Sequence, residues 1–315
     1  MLPKTMKAAV IDKFGGPQAL HVASIPVPEP DENEILLRVH AAGIGSWDPW
    51  LREGGASAGR FPLVLGSDGA GTVAARGSKV RRFKVGDRVY SYTFDNPKGG
   101  FYAEYAVVSE DDAARIPANV STLEAGALPA VGLTALLGLE KLKISPKETL
   151  MILGASGGVG HVALQLANRM GARTLAVSSR TDGVDMTRRL GADLSVDGRS
   201  ARFLGSIKDF AESLDAALVS ANSKRLAEAL NYVRKGGRIA YPRGVEPEPA
   251  DLPGVKILAY DGIPSPEAFE RLNGLIARGL FHVAIHRTYR LEEAAQAHRD
   301  VSKHHLGKLV LKIRD

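Results

Sequence analysis

The chain of 315 residues contains no cysteine, which excludes disulfide bonds and thiolate metal sites. It also lacks a long uninterrupted apolar run. The opening MLPKTMKAAV has no apolar signal-peptide core, and residues 123–139 include a glutamate, a proline and several glycines. We therefore expect a cytoplasmic protein with no membrane partner, in which residues 123–139 form a buried helical segment.

Charge of one sign is not concentrated anywhere in the chain. The net charge is +6, but Lys and Arg are spread along the sequence. The densest cluster, residues 79–88, alternates with Val80, Phe83 and Val85, as on the solvated face of a hairpin. We therefore predict no nucleic-acid partner, since an anionic ligand accounts for the positive balance.

The pattern of apolar runs and turn-forming residues changes near Ser121. Before it, short apolar runs separated by Gly, Pro and Asp predict an antiparallel, barrel-like domain. These runs are Lys7–Ile11, Glu34–Ala41, Gly69–Ala75, Arg88–Tyr92 and Ala103–Val108. Ser121 and Glu124 then form a capping-box pattern, and strands alternate with helices to about Gly262. The sequence predicts an α/β protein: a first domain of residues 1–121 and 263–315, and a doubly wound parallel-sheet domain of residues 122–262.

A glycine-rich turn follows the apolar run 149–153 and precedes a helical pattern that Gly171 ends. Gly157 would allow phosphates to approach, and Gly160 would allow the helix to pack on the strand. Ala155 replaces the usual first glycine of G-x-G-x-x-G. In a strand–turn–helix–strand context this pattern predicts a dinucleotide site. The predicted cofactor residues of the turn are Ala155, Ser156, Gly157, Gly158, Val159 and Gly160.

The end of the second strand distinguishes NADP from NAD. An NAD site usually has Asp or Glu there, whereas this chain has Ser178, Ser179 and Arg180. Two hydroxyls and a guanidinium suit a 2′-phosphate. We predict NADPH binding by these three residues; the alternative is a solvated loop with an incidental arginine.

A second motif overlaps the same turn. Residues 154–158 match G-x-S-x-G, in which Ser156 would be a hydrolase nucleophile. Its partners would be a later Asp, such as Asp261, and a later histidine; the histidines considered are His282, His286 and His298. This alternative explains neither Gly160 nor the Ser-Ser-Arg strand end.

Several segments together resemble the medium-chain dehydrogenase/reductase superfamily, and specifically its zinc-free quinone oxidoreductase (zeta-crystallin-like) branch. They are AAGIGSWDPWLREG (41–54), FPLVLGSDGAGTV (61–73), FKVGDRVY (83–90), GGFYAEYAVV (99–108), LPAVGLTAL (128–136), GASGGVG (154–160) and Gly307-Lys308. The resemblance covers nearly the whole chain. It implies a GroES-like β-barrel catalytic domain and a Rossmann domain.

The resemblance also bears on metals. Zinc members of the superfamily have a cysteine at the position of Gly45 and a histidine at that of Ser67, and Asp68 could mimic a further ligand. Two ligands are thus missing from a tetrahedral site. Two histidine pairs, His282 with His286 and His304 with His305, are alternative ligands. We predict no metal.

Without zinc to stabilise an alkoxide, the resemblance favours hydride delivery from NADPH to a quinone. A reductase of enones or enoyl groups is the alternative on the same scaffold, and a non-catalytic NADPH-binding protein is another. The resemblance implies a homodimer, for which residues 255–260 are a candidate edge strand.

Site residues follow from the same resemblance. Thr134 and Lys308 are expected at the cofactor. Gly45, Ser46, Trp47 and Ser67 are expected around the substrate. Asp48, Tyr92 and Tyr102 are expected as catalytic residues. Each has a structural alternative: Trp47 and Trp50 as core, Asp48 as a loop brace, the tyrosines as packing, and Thr134 bonded to its own helix.

Relatives that use NADPH often have a lysine shortly after the second strand and a tyrosine near position 198. This chain has Asp182, Gly183 and Gly198 there. Arg180, with Arg199, would then hold the 2′-phosphate.

Overall fold

The computed structural model describes residues 2–55 and 60–314. The chain divides into two compact units. The first comprises Met1–Ala130, Pro264–Asn273 and Val283–Asp315, and the second comprises Val131–Ile263 and Gly274–His282. The domain boundaries expected from the sequence, after residues 121 and 262, stay a prediction.

The first unit is built on mainly antiparallel strands. They are β1 (Thr5–Ile11), β2 (His21–Pro26), β3 (Glu34–Ile44), β4 (Leu63–Val64), β5 (Asp68–Arg76), β6 (Arg88–Tyr92), β7 (Tyr105–Ser109), β8 (Ala113–Arg115), β15 (Ile285–Arg290) and β16 (Lys308–Lys312). One sheet has the order β2-β1-β4, and the other has the order β15-β16-β3-β5-β6-β8, with β7 also paired to β3. The C-terminal strand β16 thus pairs with β3.

The long strand β3 is the centre of this unit, since it pairs with β5, β7 and β16. Ile35, Leu37 and Val39 are fully buried along it, and they share one core with residues of β1, β5 and β7. Three short helices complete the unit: α1 (Asp48–Arg52), α2 (Thr122–Gly126) and α9 (Ala294–Asp300).

The second unit is a six-stranded sheet in the order β11-β10-β9-β12-β13-β14. The strands are β9 (Thr149–Leu153), β10 (Arg173–Ser178), β11 (Leu194–Asp197), β12 (Leu214–Val219), β13 (Val233–Pro242) and β14 (Lys256–Tyr260). Every neighbouring pair is parallel. Counted within the unit, the order is 3-2-1-4-5-6, the order of dinucleotide-binding folds. The predicted α/β fold class is confirmed.

Helices connect these parallel strands. They are α4 (Gly158–Arg169), α5 (Arg180–Arg189), α6 (Phe203–Phe210) and α7 (Lys224–Ala229). Two further helices, α3 (Pro129–Lys141) and α8 (Pro266–Ile276), each have residues in both units. No helix in the part of the chain that the structure describes is long and apolar enough to cross a membrane.

The segment 123–139 is not one helix. It forms α2 and the start of α3, with a break before Pro129, because proline is favoured at the beginning of a helix and disfavoured inside one. The predicted capping box is present: the Ser121 hydroxyl accepts the Glu124 N–H, and the Glu124 carboxylate accepts the Ser121 N–H.

Helix α4 begins directly against the turn that follows the central strand β9. A Cβ on Gly160 would lie 2.6 Å from Ala155 Cα and closer still to the carbonyl oxygen of Gly154. Real Cβ atoms do not come this near to main-chain atoms, so the helix would have to shift. Gly205, in α6, has open space at the same position.

We therefore expect Gly160→Ala to lower the thermal midpoint of unfolding by several degrees, since it forces α4 off the strand. Gly205→Ala is the control. It should be neutral or stabilise the protein by about 0.5–1 kcal/mol, because alanine has the higher helix propensity. Equal melting temperatures for the two variants would contradict the packing described here.

Candidate functional site

The turn after β9 leaves main-chain amides available at the first turn of α4. Gly154 adopts φ +79°, which a side chain disfavours, and Gly157 caps the helix without a side chain. The N–H groups at a helix start and the helix dipole together favour a phosphate. The predicted residues 155–160 are thus brought into one turn with the chemistry of a pyrophosphate site.

The adjacent end of β10 adds hydroxyl groups. Ser178 is buried, and its Oγ has no hydrogen-bond partner among the described residues. Ser179 precedes α5, and Arg180 begins that helix with φ +65°. A buried hydroxyl without a partner is costly, so an added polar group is a reasonable occupant of this region.

Thr134 lies on α3 in the second unit and packs against Gly262. A Cβ on Gly262 would lie 3.1 Å from Thr134 Cα and closer to Oγ1. The glycine therefore leaves room for the threonine hydroxyl. The role of Thr134 toward a cofactor stays a prediction.

In the first unit, Asp48 holds the end of β3 in a fixed turn. The carboxylate is fully buried, and its Oδ2 accepts the Gly45 N–H at 2.8 Å and the Tyr102 hydroxyl at 2.6 Å. Burial raises the pKa of Asp48 to about 6, although the bonds from Tyr102 and Gly45 and the charge of Lys308 lower it. Asp48 therefore braces the segment Gly45–Trp47.

The Trp47 indole lies against the main chain of Gly45. A Cβ on Gly45 would lie 2.6 Å from Cζ2 of the indole and closer to Cε2. At the other end, the indole Nε1–H donates to Ser67 Oγ at 2.9 Å, and the Ser67 hydroxyl donates to the Phe94 carbonyl at 3.1 Å. Gly45 and Ser67 therefore fix the orientation of the indole.

Two aromatic rings and one ammonium group surround this indole. Tyr92 and Phe94 have ring centres 6.4 Å from that of Trp47, at interplanar angles of 63° and 45°. Lys308 Nζ lies 5.4 Å from the Trp47 ring centre and donates to the Ile44 carbonyl. Edge contacts and a cation near the ring are favourable for aromatic groups. We call Trp47, Tyr92 and Phe94 the aromatic platform.

Tyr102 lies beside a buried pair of basic side chains, His298 and Arg52. Its ring contacts His298 edge-on at 5.7 Å, and His298 Nδ1 accepts from the Arg52 guanidinium at 2.8 Å. Because a guanidinium only donates, the His298 proton belongs on Nε2. Burial and the charge of Arg52 lower the pKa of His298 to about 3. His298 is therefore neutral and structural.

Two known protein families match long segments of this chain. Residues 31–118 match the family described as alcohol dehydrogenase GroES-like domain, and residues 190–311 match the family described as zinc-binding dehydrogenase. The quinone oxidoreductase of Sus scrofa is 30% identical over 98% of this chain and 98% of its own length. The chain belongs to the medium-chain dehydrogenase/reductase family, in its zinc-independent quinone oxidoreductase branch.

Other members of this family are also similar. The 2-methylene-furan-3-one reductase of Solanum lycopersicum is 34% identical over 79% of this chain and 65% of its own length. The solved structure of Escherichia coli quinone oxidoreductase complexed with NADPH has a TM-score of 0.84 and 25% identity, covering 98% of this chain and 100% of that one. The protein is thus an oxidoreductase with a dinucleotide-binding domain.

The positions at which zinc members of the family have ligands do not fit a metal here. Gly45 has no side chain, and the Ser67 oxygen already accepts from the indole and donates to Phe94. Among the residues described, no group of three or more His, Asp and Glu side chains could hold a metal ion.

The structure brings together most of the residues expected at the substrate. Asp48 binds Gly45 and Tyr102, Trp47 binds Ser67, and the Trp47 indole lies against Gly45, whereas Ser46 is exposed. Lys308, expected at the cofactor, is buried beside Trp47. Phe94 and the Arg52–His298 pair were not anticipated. Arg52 and His298 are 246 positions apart, and no local pattern links them.

We expect Gly45→Ala to displace the Trp47 indole and break its bond to Ser67, at a cost of about 1–3 kcal/mol in unfolding free energy. In a Trp50→Phe background, the fluorescence emission of Trp47 should shift to the red. Gly274→Ala, which has open space around the new Cβ, is the matched control. An unchanged emission spectrum would contradict the contact.

The raised pKa of Asp48 has a consequence for stability. The folded protein binds the Asp48 proton more tightly than the unfolded chain does, since the pKa of an aspartate carboxyl in the unfolded chain is near 4. The stabilising contribution of Asp48 is therefore fully present below pH 4 and is lost as pH rises through about 6, a loss of about 3 kcal/mol at most. In Asp48→Asn this dependence should vanish, while the amide oxygen takes the place of Asp48 Oδ2 as acceptor from Gly45 and Tyr102.

We expect the difference in unfolding free energy between Asp48→Asn and the parent protein to shift in favour of the variant between pH 4 and pH 7. Urea unfolding at the two pH values measures it. The contribution of His298 is common to both proteins and cancels. A difference that does not change with pH would contradict the burial of a charged carboxylate.

Proposed function

We propose that the protein uses NADPH to reduce a quinone. The aromatic platform is the observation that supports this most. It combines a partly buried indole, fixed at both ends, with the rings of Tyr92 and Phe94, of which Phe94 is 42% exposed. Such a surface suits a flat, conjugated acceptor, which can stack on or against aromatic rings.

Residues of the second unit suit the cofactor. The N–H groups at the start of α4 would hold the pyrophosphate, and Ser178, Ser179 and Arg180 would hold the 2′-phosphate of the adenosine. Thr134 is proposed at the nicotinamide end. Lys308, which belongs to the first unit, is proposed as a further cofactor residue. When bound, NADPH supplies a hydride to the acceptor.

A quinone must also take up a proton. Tyr92 belongs to the aromatic platform and is partly buried. We assign proton donation to Tyr92.

Asp48 and Tyr102 act differently in this proposal. Neither side chain is exposed, and the Asp48 carboxylate binds the Gly45 N–H. They position the segment that carries Trp47, and the catalytic roles expected for them from the sequence stay predictions. Gly45 and Ser67 contribute by fixing the indole, and exposed Ser46 is proposed beside the substrate.

Reduction of an activated C=C bond is the second candidate. It is supported by the similarity to the tomato 2-methylene-furan-3-one reductase. A conjugated enone is also electron-poor and accepts hydride without a metal.

The assembly and location are also proposals. Strand β14 lies at one edge of the six-stranded sheet, and we propose that it pairs with its copy in a homodimer. We propose a cytoplasmic location, a small-molecule acceptor, and no nucleic-acid partner.

We expect NADPH oxidation, followed at 340 nm, with 1,4-benzoquinone and 9,10-phenanthrenequinone, unaffected by a chelator. Trp47→Leu should lower kcat/KM for these quinones about tenfold or more, since the aromatic platform is lost. Trp50→Phe, at a 49% exposed tryptophan, is the control.

Three outcomes separate the candidates. Turnover of an alkyl vinyl ketone or 2-alkenal without quinone turnover would identify a C=C reductase. Absence of NADPH oxidation with every acceptor, despite tight NADPH binding, would identify a non-catalytic binding protein. Faster turnover with NADH than with NADPH would contradict the proposed cofactor.

A further inference from the structure

Two glycines, Gly183 and Gly198, lie at the proposed adenosine end of the cofactor site. A side chain at Gly183 would press on two serines, because its Cβ would lie 2.9 Å from Ser156 Oγ and 3.1 Å from Ser178 Cβ. A Cβ on Gly198 would lie 3.0 Å from Val177 Cγ1. Neither position accommodates a long side chain, so an anion at this end must be held from elsewhere.

Arg180 has a backbone conformation that L-residues rarely adopt. Its φ of +65° places it in the left-handed region, which is unfavourable for a residue with a side chain. Such a conformation persists only when the surrounding structure holds it. The helix α5 begins at this residue, at the carboxyl end of β10.

One carboxylate oxygen holds this backbone. Asp197 Oδ1 accepts the main-chain N–H of Arg180 at 3.3 Å and that of Arg199 at 2.8 Å. The neighbouring strand ends are also joined, since the Gly198 N–H donates to Ser178 O at 2.8 Å. Two arginines on different strand ends are thus tied to a single acidic side chain.

We propose that Asp197 is a positioning residue for 2′-phosphate recognition. Its Oδ1 fixes the main chains of Arg180 and Arg199, so that both arginines serve one anion site at the carboxyl ends of β10 and β11. Asp197 itself makes no contact with the nucleotide. This inference rests on the NADPH half of the proposed function and does not depend on the acceptor.

The test uses nucleotide binding alone, without acceptor or turnover. Affinities of adenosine 2′,5′-bisphosphate and of 5′-ADP are measured by calorimetry for the parent protein, Asp197→Ala and Asp197→Asn. Asparagine keeps an oxygen that accepts both N–H groups but removes the negative charge. Alanine removes both.

We expect Asp197→Ala to weaken binding of the 2′,5′-bisphosphate about tenfold, with 5′-ADP changed much less, because only the 2′-phosphate uses the arginines. Asp197→Asn should retain or improve the parent affinity. Asp185→Asn, at the exposed carboxylate that pairs with Arg188, is the control. Thermal melts of each variant report folding.

Other results would overturn the inference. Tighter 2′,5′-bisphosphate binding by both variants would mean that Asp197 acts only through its charge. Equal weakening of both nucleotides would mean a general structural role. Parent protein that prefers 5′-ADP, with the preference lost in both variants, would mean that Asp197 binds a ribose hydroxyl.

The results also distinguish failure of the proposed function from failure of the inference about Asp197. If the bisphosphate binds as expected but no quinone or enone is reduced, the acceptor proposal is wrong while the role of Asp197 stands. If the parent protein binds neither nucleotide, both proposals are wrong.

Discussion

The close approach of Gly160 to the main chain of Gly154 and Ala155 is the constraint on which the second unit depends. It lets α4 begin at the end of the central strand β9, where unpaired N–H groups and the helix dipole create an anion site. The neighbouring parallel strand β10 then brings Ser178 and Arg180 to the carboxyl ends of the strands, next to the start of α4. The anion chemistry of the unit follows from this one contact.

The first unit depends on buried charge instead. Asp48, Asp68, Arg52 and Lys308 are all buried in it, and removing a charge from water costs several kcal/mol. Hydrogen bonds from Gly45 and Tyr102 to Asp48 offset part of this cost. The remaining cost lowers the stability of the first unit. The same contacts fix the turn that carries Trp47 and keep the aromatic platform rigid.

The sequence predicted the fold well because its signals are local. The run of residues 149–178 contains a strand, a glycine turn, a helix and a second strand in order, and each is present. The Ser121–Glu124 capping box is equally local. The expected helical segment over residues 123–139 is present as two helices, because the chain breaks before Pro129.

The side-chain arrangement of the site was less predictable. The family resemblance suggested Gly45, Trp47 and Ser67 together, but it did not indicate that the indole bonds to Ser67 or that Gly45 makes room for it. Asp197 was also missed, since its bond to the Arg180 main chain depends on two parallel strands ending side by side. Such contacts arise from tertiary packing and leave no periodic pattern.

The most direct test of the account is a structure of the protein crystallised with NADP⁺. We expect the pyrophosphate on the N–H groups at the start of α4 and the 2′-phosphate within hydrogen-bond distance of the Arg180 guanidinium. A 2′-phosphate held by other residues, or a nucleotide bound away from the glycine turn, would contradict it.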